Sequence, residues 1–471
     1  MTRVRTAPPA WGRHVPGAGR AAHVEGGVLH TGTTSQVCGL FPFAVGSGAP
    51  AHGVPIGRHL LTAEPVGLDP AEWVRRGLLT STGVWVQGQP GVGKSAFVKR
   101  MITGLVAFGA TAVVPGDVKG EYAPLVEALG GTVWRVGRGL HTLNPLDGGP
   151  VRAALAAAVG SERTALADTL RARRIALLEA LLAVVRGGPL PVTERRLVAA
   201  ALDVAAAGPA EPVLPDVLAV LLHGADPLPA IAATTGPGAY RRAVRDLVNT
   251  VALLCDGPLR GVLDRQSTVR ADPAAPAVAV DVSALDGDSD DVVAAAMLSA
   301  WAWSAAVVDG VRAVRGPAPV VLVQDELWRA LRVAPGLVEQ ADRLTRLNRH
   351  RGVVSMQVTH SLDDLAALPT DADRAKARGL VSRAGLLVLG GMAGRELDAL
   401  RGVVPVTAGE AGLVTSWAAP PTWTSGAAHP GRGRYLLKSG ERIGLPVAMT
   451  LTPGEAALYD TDGALRGRDG G

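Results

Sequence analysis

The chain is short of several things at once. Its 471 residues include two cysteines, Cys38 and Cys255, too few and too far apart for a disulfide framework or a metal knuckle. A reduced, cytoplasmic setting is therefore expected. Aromatic residues make up 4%, and lysine is scarce: Lys94, Lys99, Lys119, Lys376 and Lys438 stand among 47 cationic residues. That arginine excess reads as codon bias, so a lysine inside a motif carries more weight. Long hydrophobic runs are also missing. The N-terminus has no apolar segment of the kind a signal peptide needs. One charge-free stretch, Val292 to Val308, is rich in Ala and Ser and bounded by Asp290-Asp291 and Asp309. It reads as a buried core helix rather than a membrane span, which leaves peripheral attachment to a membrane complex open. No solenoid repeat, zinc finger, helix-turn-helix or aromatic stacking platform is legible, so base-specific readout is not expected. The net charge of +5 permits contact with a DNA backbone without requiring it.

Glycine, by contrast, is abundant, with 59 residues, and eight positions give it a purpose. Gly88, Gln89, Pro90, Gly91, Val92, Gly93, Lys94 and Ser95 form a complete phosphate-binding loop. An apolar run over 83–87 reads as the strand that feeds it, and 96–106 as the helix that leaves it. In such a loop backbone N–H groups turn around the phosphates, the lysine supplies mobile positive charge, and the serine hydroxyl ligates magnesium. ATP and Mg2+ are the ligands expected.

Further strand candidates are Ala112–Pro115, Thr132–Val136, Ala277–Val282, Val320–Gln324, Val353–Val358 and Leu386–Leu389. Repeated strand–turn–helix units predict an α/β fold with a mainly parallel sheet. Residues 1–50 read as an irregular N-terminal arm, 51–150 and 255–471 as two parts of one core, and 151–254 as an inserted all-helical subdomain. Arginines of that insertion (Arg171, Arg173, Arg174, Arg195, Arg196, Arg241, Arg242, Arg245) are expected to be mostly a solvated, ion-paired surface, a basic face being the alternative. A loop is expected at 418–433 and a last strand-like unit at 434–450.

The strand candidate 320–324 ends in Asp325-Glu326. At a strand end two adjacent carboxylates can both reach the phosphates: Asp325 to hold magnesium, Glu326 to activate water as general base. A second acid of that kind argues for hydrolysis. Asp117 and Lys119 follow another strand candidate, at the sheet edge where ligands of parallel sheets bind, and are nucleotide-site candidates.

Three stretches carry a family resemblance: Asp117-Val-Lys-Gly-Glu-Tyr-Ala-Pro-Leu, Leu129-Gly-Gly-Thr-Val-Trp-Arg-Val and Leu143-Asn-Pro-Leu-Asp147. Together with Asp325-Glu-Leu-Trp328 they resemble the large ATPases of type IV secretion and conjugative transfer (TraC-like), within the HerA–FtsK group of motors. The resemblance spans about residues 55–450 and implies a RecA-like P-loop NTPase, a homo-hexamer, and a secretion or conjugation membrane complex as partner. Two departures stand out. The family's N-terminal docking domain has no counterpart in the fifty residues ahead of the core, and its strand-end Thr-Gln appears as Thr359-His360. As γ-phosphate sensor, His360 or Gln357 is expected to take that place, the alternative being that neither touches nucleotide. Motors of this group also use arginines from a neighbouring subunit, for which Arg349, Arg351 and Arg442 are the candidates; Arg343, Arg346 and His350 share a helical face nearby.

Overall fold

The computed structural model describes residues 47–339, 352–418, 429 and 431–459, apart from 209, 271, 273 and 317. The arm through residue 46, most of the 418–433 loop, and Arg343, Arg346, Arg349, His350 and Arg351 lie outside the described residues.

Eleven strands form one sheet in the order β2-β1-β11-β10-β9-β3-β8-β7-β4-β6-β5. Their spans are β1 Val54–His59, β2 Pro65–Leu68, β3 Gly83–Gln87, β4 Thr111–Asp117, β5 Thr132–Arg135, β6 Ala277–Asp281, β7 Val320–Gln324, β8 Val353–Thr359, β9 Leu386–Leu389, β10 Arg434–Lys438 and β11 Leu445–Ala448. From β9 to β5 every pairing is parallel. Apart from the edge strand β5, these strands are buried on both faces, which is why they read as mostly apolar runs instead of an alternation. Val84 and Val86 face one cluster with the helix Lys94–Ala107, while Trp85 faces the other.

The remaining edge is antiparallel. The unit expected at 434–450 is a hairpin of β10 and β11, and β1 and β2 extend it beyond. β1 and β2 were not foreseen, because Val54-Pro-Ile-Gly-Arg-His59 and Pro65-Val-Gly-Leu68 carry the Pro and Gly that ordinarily mark loops.

Between β5 and β6 the regular elements are helices, the longest being Gly160–Arg186 and Pro237–Asp256. They share one apolar cluster with the sheet and with the helix Asp290–Arg315. This last helix contains a window long and apolar enough to cross a membrane, but 83% of that window is buried inside the protein. Arg171, Arg173, Arg174 and Arg195 pair with Asp203, Asp309, Glu211 and Glu179. Arg241, Arg242 and Arg245 stay on the exposed face of Pro237–Asp256.

The Asn-Pro-Leu stretch is a joint. Asn144 is 1% exposed. Its amide Nδ2 donates to the Pro212 carbonyl at 3.0 Å, its backbone N–H donates to Ser267 Oγ at 3.0 Å, and its Oδ1 accepts from Leu146 N–H at 2.9 Å. One residue thus ties the segment after β5 to the helices and to the approach to β6.

Candidate active site at the carboxyl edge of the sheet

β3, β8, β7 and β4 lie side by side in that order. Parallel pairing brings four chain segments out at one edge: the glycine loop after β3, Thr359-His360, Asp325-Glu326, and the turn from Asp117 to Tyr122.

The glycine loop joins β3 to the helix Lys94–Ala107. Gly93 sits at φ +95° with the Tyr435 hydroxyl oxygen 2.8 Å from where a Cβ would be, so only glycine fits there. Among the described residues no carbonyl accepts from the N–H groups of Gly91, Val92 or Gly93. With the free N–H groups of the first helical turn, these make an anion cradle. The loop is braced from behind. Gly390 N–H donates to Gln87 O at 2.8 Å, Gln89 N–H to Gly391 O at 2.9 Å and Gly433 N–H to Val92 O at 3.0 Å. The Tyr435 hydroxyl donates to Gly93 O at 2.6 Å. Tyr435 and Gly433 stand some 340 residues from the loop, and no local sequence signal announces them. Ser95 is the second residue of the helix and half-buried.

Lys94 is 6% exposed. Its ammonium donates to Gly88 O at 2.7 Å and Gln89 O at 3.0 Å, and meets His360 Nδ1 at 2.8 Å. Burial pushes its pKa down to about 8 against the pull of Asp325 and Glu326. With the ammonium donating to Nδ1, the His360 proton belongs on Nε2, which lies 2.9 Å from Glu326 Oε1.

Glu326 leaves β7 in a left-handed conformation, φ +50°, one of three non-glycine residues with positive φ among those described. That turn breaks the strand alternation and sends the Asp325 and Glu326 carboxylates into neighbouring positions. Glu326 Oε2 accepts from Trp328 Nε1 at 2.6 Å, and Oε1 accepts from Lys119 Nζ at 2.5 Å as well as from His360. Burial alone would raise this carboxyl, but the donors His360 and Lys119 outweigh it and hold the pKa near 2. Asp325 accepts from the buried Tyr122 hydroxyl at 2.8 Å and from Glu326 N–H at 2.9 Å. Burial, then Glu121 and Glu326, push its pKa up to about 6.

The stretch Asp117–Tyr122 therefore clamps both acids of the pair, Lys119 on Glu326 and Tyr122 on Asp325. Asp117 itself departs from its expected place beside a nucleotide. It is 2% exposed and turns inward, accepting from Tyr122 N–H at 2.8 Å and Glu121 N–H at 3.3 Å to close the turn. Gln357 also lies away from the loop. It points into the sheet interior, where its amide donates to Gln324 Oε1 at 3.4 Å. Of the two sensor candidates only His360 touches the site. Arg442 is at the far edge, in the turn between β10 and β11, donating to Leu78 O at 2.7 Å. β10 runs antiparallel to β9, which carries its end away from the phosphate loop, so Arg442 cannot serve the loop of its own chain. Tyr122 and Trp328 were missed as site residues although both stand inside the quoted motifs.

Ser95 and Asp325 supply one hydroxyl and one carboxylate, an oxygen-only donor set of the kind that holds magnesium on a nucleotide. No protein-family model and no curated protein sequence matches the chain. Solved structures do. VirB4 of Thermoanaerobacter pseudethanolicus matches with a TM-score of 0.63 at 18% identity, over 87% of this chain and 99% of that one. The bacterial conjugative coupling protein TrwBdeltaN70 matches with a TM-score of 0.51 at 12% identity, over 85% and 90%. TrwB in complex with ADP and Mg2+ gives a TM-score of 0.51 at 13% identity, over 85% and 91%. The chain shares the fold of these structures, a RecA-like P-loop fold with a mainly parallel sheet.

Proposed function

We propose that the chain is an ATP-hydrolysing motor of conjugative transfer or type IV secretion, working as a homo-hexamer in the cytoplasm at the inner face of a membrane complex. One observation carries this reading: Lys94 of the phosphate loop and Glu326 at the end of β7 are joined through a single imidazole, His360. A phosphate held by Lys94 and a water activated by Glu326 would then sit within reach of one side chain. The fold shared with VirB4, and with a TrwB solved with ADP and Mg2+, supports it.

In this mechanism the loop N–H groups and Lys94 bind the phosphates, and Ser95 and Asp325 would hold Mg2+, which would supply positive charge against the phosphate oxygens. Tyr122 keeps the Asp325 carboxylate oriented. Glu326 takes the proton of the attacking water, and His360 links its position to that of Lys94. Residues 51–150 and 255–471 act as the motor core, with the helices of 151–254 as an insertion on it. Any DNA contact would be to the backbone and steeply salt-dependent. A HerA–FtsK-like DNA translocase working without a secretion complex is the reading to set against it.

A second reading, a nucleotide-gated scaffold that hydrolyses little, is favoured by the three donors that hold Glu326. Steady-state ATP hydrolysis by wild type and Glu326→Gln, with and without double-stranded DNA, separates them. Turnover lost in the variant supports a motor, and DNA stimulation supports DNA handling. Tight ATP binding without turnover in either protein supports the scaffold.

A further inference from the structure

We propose that Lys119 is a two-position cation: it holds Glu326 in the arrangement described above and moves onto the γ-phosphate when ATP binds, releasing the base only for a triphosphate. The inference rests on the nucleotide-site reading and adds to it the group that tells ATP from ADP.

The two oxygens of Glu326 are held differently. Oε2 is fixed by the Trp328 indole, which is part of the short helix Leu327–Leu331 and cannot travel far. Oε1 is shared by Lys119 and His360. One of these donors is free to leave without orphaning the carboxylate. Lys119 is the mobile one: its side chain is 47% exposed against 33% for His360, and it is a long flexible stem ending in a compact charge where His360 is a short ring held at both nitrogens. Its place in the chain points the same way. Lys119 precedes Gly120 at φ +67° in a turn pinned behind it by Asp117 and Tyr122, so the turn stays put while the side chain swings. Lys94 and Lys119 also stand at opposite ends of the His360–Glu326 pair, one on each side of it. Two cations flanking the base and its imidazole are what a phosphate beyond the β-position would meet. A triphosphate there offers Lys119 a dianionic oxygen cluster in place of one carboxylate oxygen, while a diphosphate ends short of it.

The test compares Mg2+-ADP with the Mg2+-β,γ-imido analogue of ATP in direct binding measurements, without turnover. Lys119→Met is expected to weaken the analogue at least tenfold and ADP less than twofold, with Lys119→Arg recovering most of the loss. An equal loss for both nucleotides would overturn the proposal by making Lys119 a structural residue. Lys119→Met also takes the cation away from Glu326, whose negative charge alone would repel a γ-phosphate. Lys119→Met/Glu326→Gln removes that repulsion. A selective loss that persists in the double variant supports direct contact with the γ-phosphate. Recovery of wild-type affinity there would overturn it, since Lys119 would then only neutralise Glu326. A wild type that binds neither nucleotide would remove the nucleotide-site reading itself, an outcome distinct from any of these.

Discussion

At the scale of single residues, the site is a set of acids whose behaviour is decided by who donates to them. Glu326 and Asp325 are neighbours in sequence, yet Glu326 is held low near 2 by its donors while Asp325 is pushed up to about 6 by burial. The pattern Asp-Glu after an apolar strand showed which residues to watch. It could not show the direction of either shift, because Lys119, Tyr122 and His360 come from other strand ends. Two predictions belong here. Glu326→Gln keeps the shape and loses the base, so steady-state turnover should fall on the order of a hundredfold or more with nucleotide binding retained. Trp328→Phe removes the indole donor to Oε2 and keeps a smaller aromatic ring under Arg332. Glu326 then has one fixed contact fewer, and kcat should fall several-fold while KM stays within about twofold, measured in the same assay. A matching rise in KM would place Trp328 in nucleotide binding instead of positioning.

At the scale of elements, the sheet and its order explain why residues so far apart meet. The parallel strands were readable because burial on both faces leaves little but Val, Ala, Leu and Met along them, as in β7 and β9. β1, β2 and the bracing of the phosphate loop by Gly433 and Tyr435 were not, because antiparallel edge pairing depends on register and not on composition. The Asn-Pro-Leu stretch was legible as a motif but not as a joint, since its partners Pro212 and Ser267 lie on separate segments. Asn144→Ala leaves the Pro212 carbonyl and the Leu146 N–H without their partner in a buried place. The expected cost is about 1–3 kcal/mol of stability, read as a lower Tm or denaturation midpoint, with ADP affinity little changed. By contrast, Gly93→Ala meets both a left-handed backbone and the Tyr435 oxygen at 2.8 Å, and should abolish nucleotide binding along with the loss of stability.

At the scale of the whole molecule, the carboxyl edge gathers buried acid, and that sets how stability responds to pH. Asp117, almost fully buried, has its pKa raised from 3.8 to about 7 by burial first, with Asp281, Glu121 and Asp325 adding like charge against the Tyr122 N–H that favours the anion. Asp325 moves in the same direction, to about 6. A carboxyl whose folded pKa lies above its unfolded value binds its proton more tightly in the folded state. Its contribution is fully present below the unfolded pKa and is lost as pH rises towards the folded one. Between about pH 4 and pH 7 the folded chain thus holds extra protons, and stability from these groups declines across that window. At 1.36 kcal/mol per unit, Asp117 alone accounts for an effect on the order of 4 kcal/mol. Glu326 opposes them only below its ordinary value of 4.5, where its donors lose their anion. Thermal unfolding should therefore show maximum stability between about pH 4 and pH 5 and a falling Tm up to pH 7, flattening above. Asp117→Asn keeps an acceptor for the Tyr122 N–H but cannot ionise, so most of the slope between pH 5 and 7 should vanish while the value at pH 5 changes little. An unchanged slope in that variant would mean that the fold keeps Asp117 charged, with the compensating cation supplied by its neighbours.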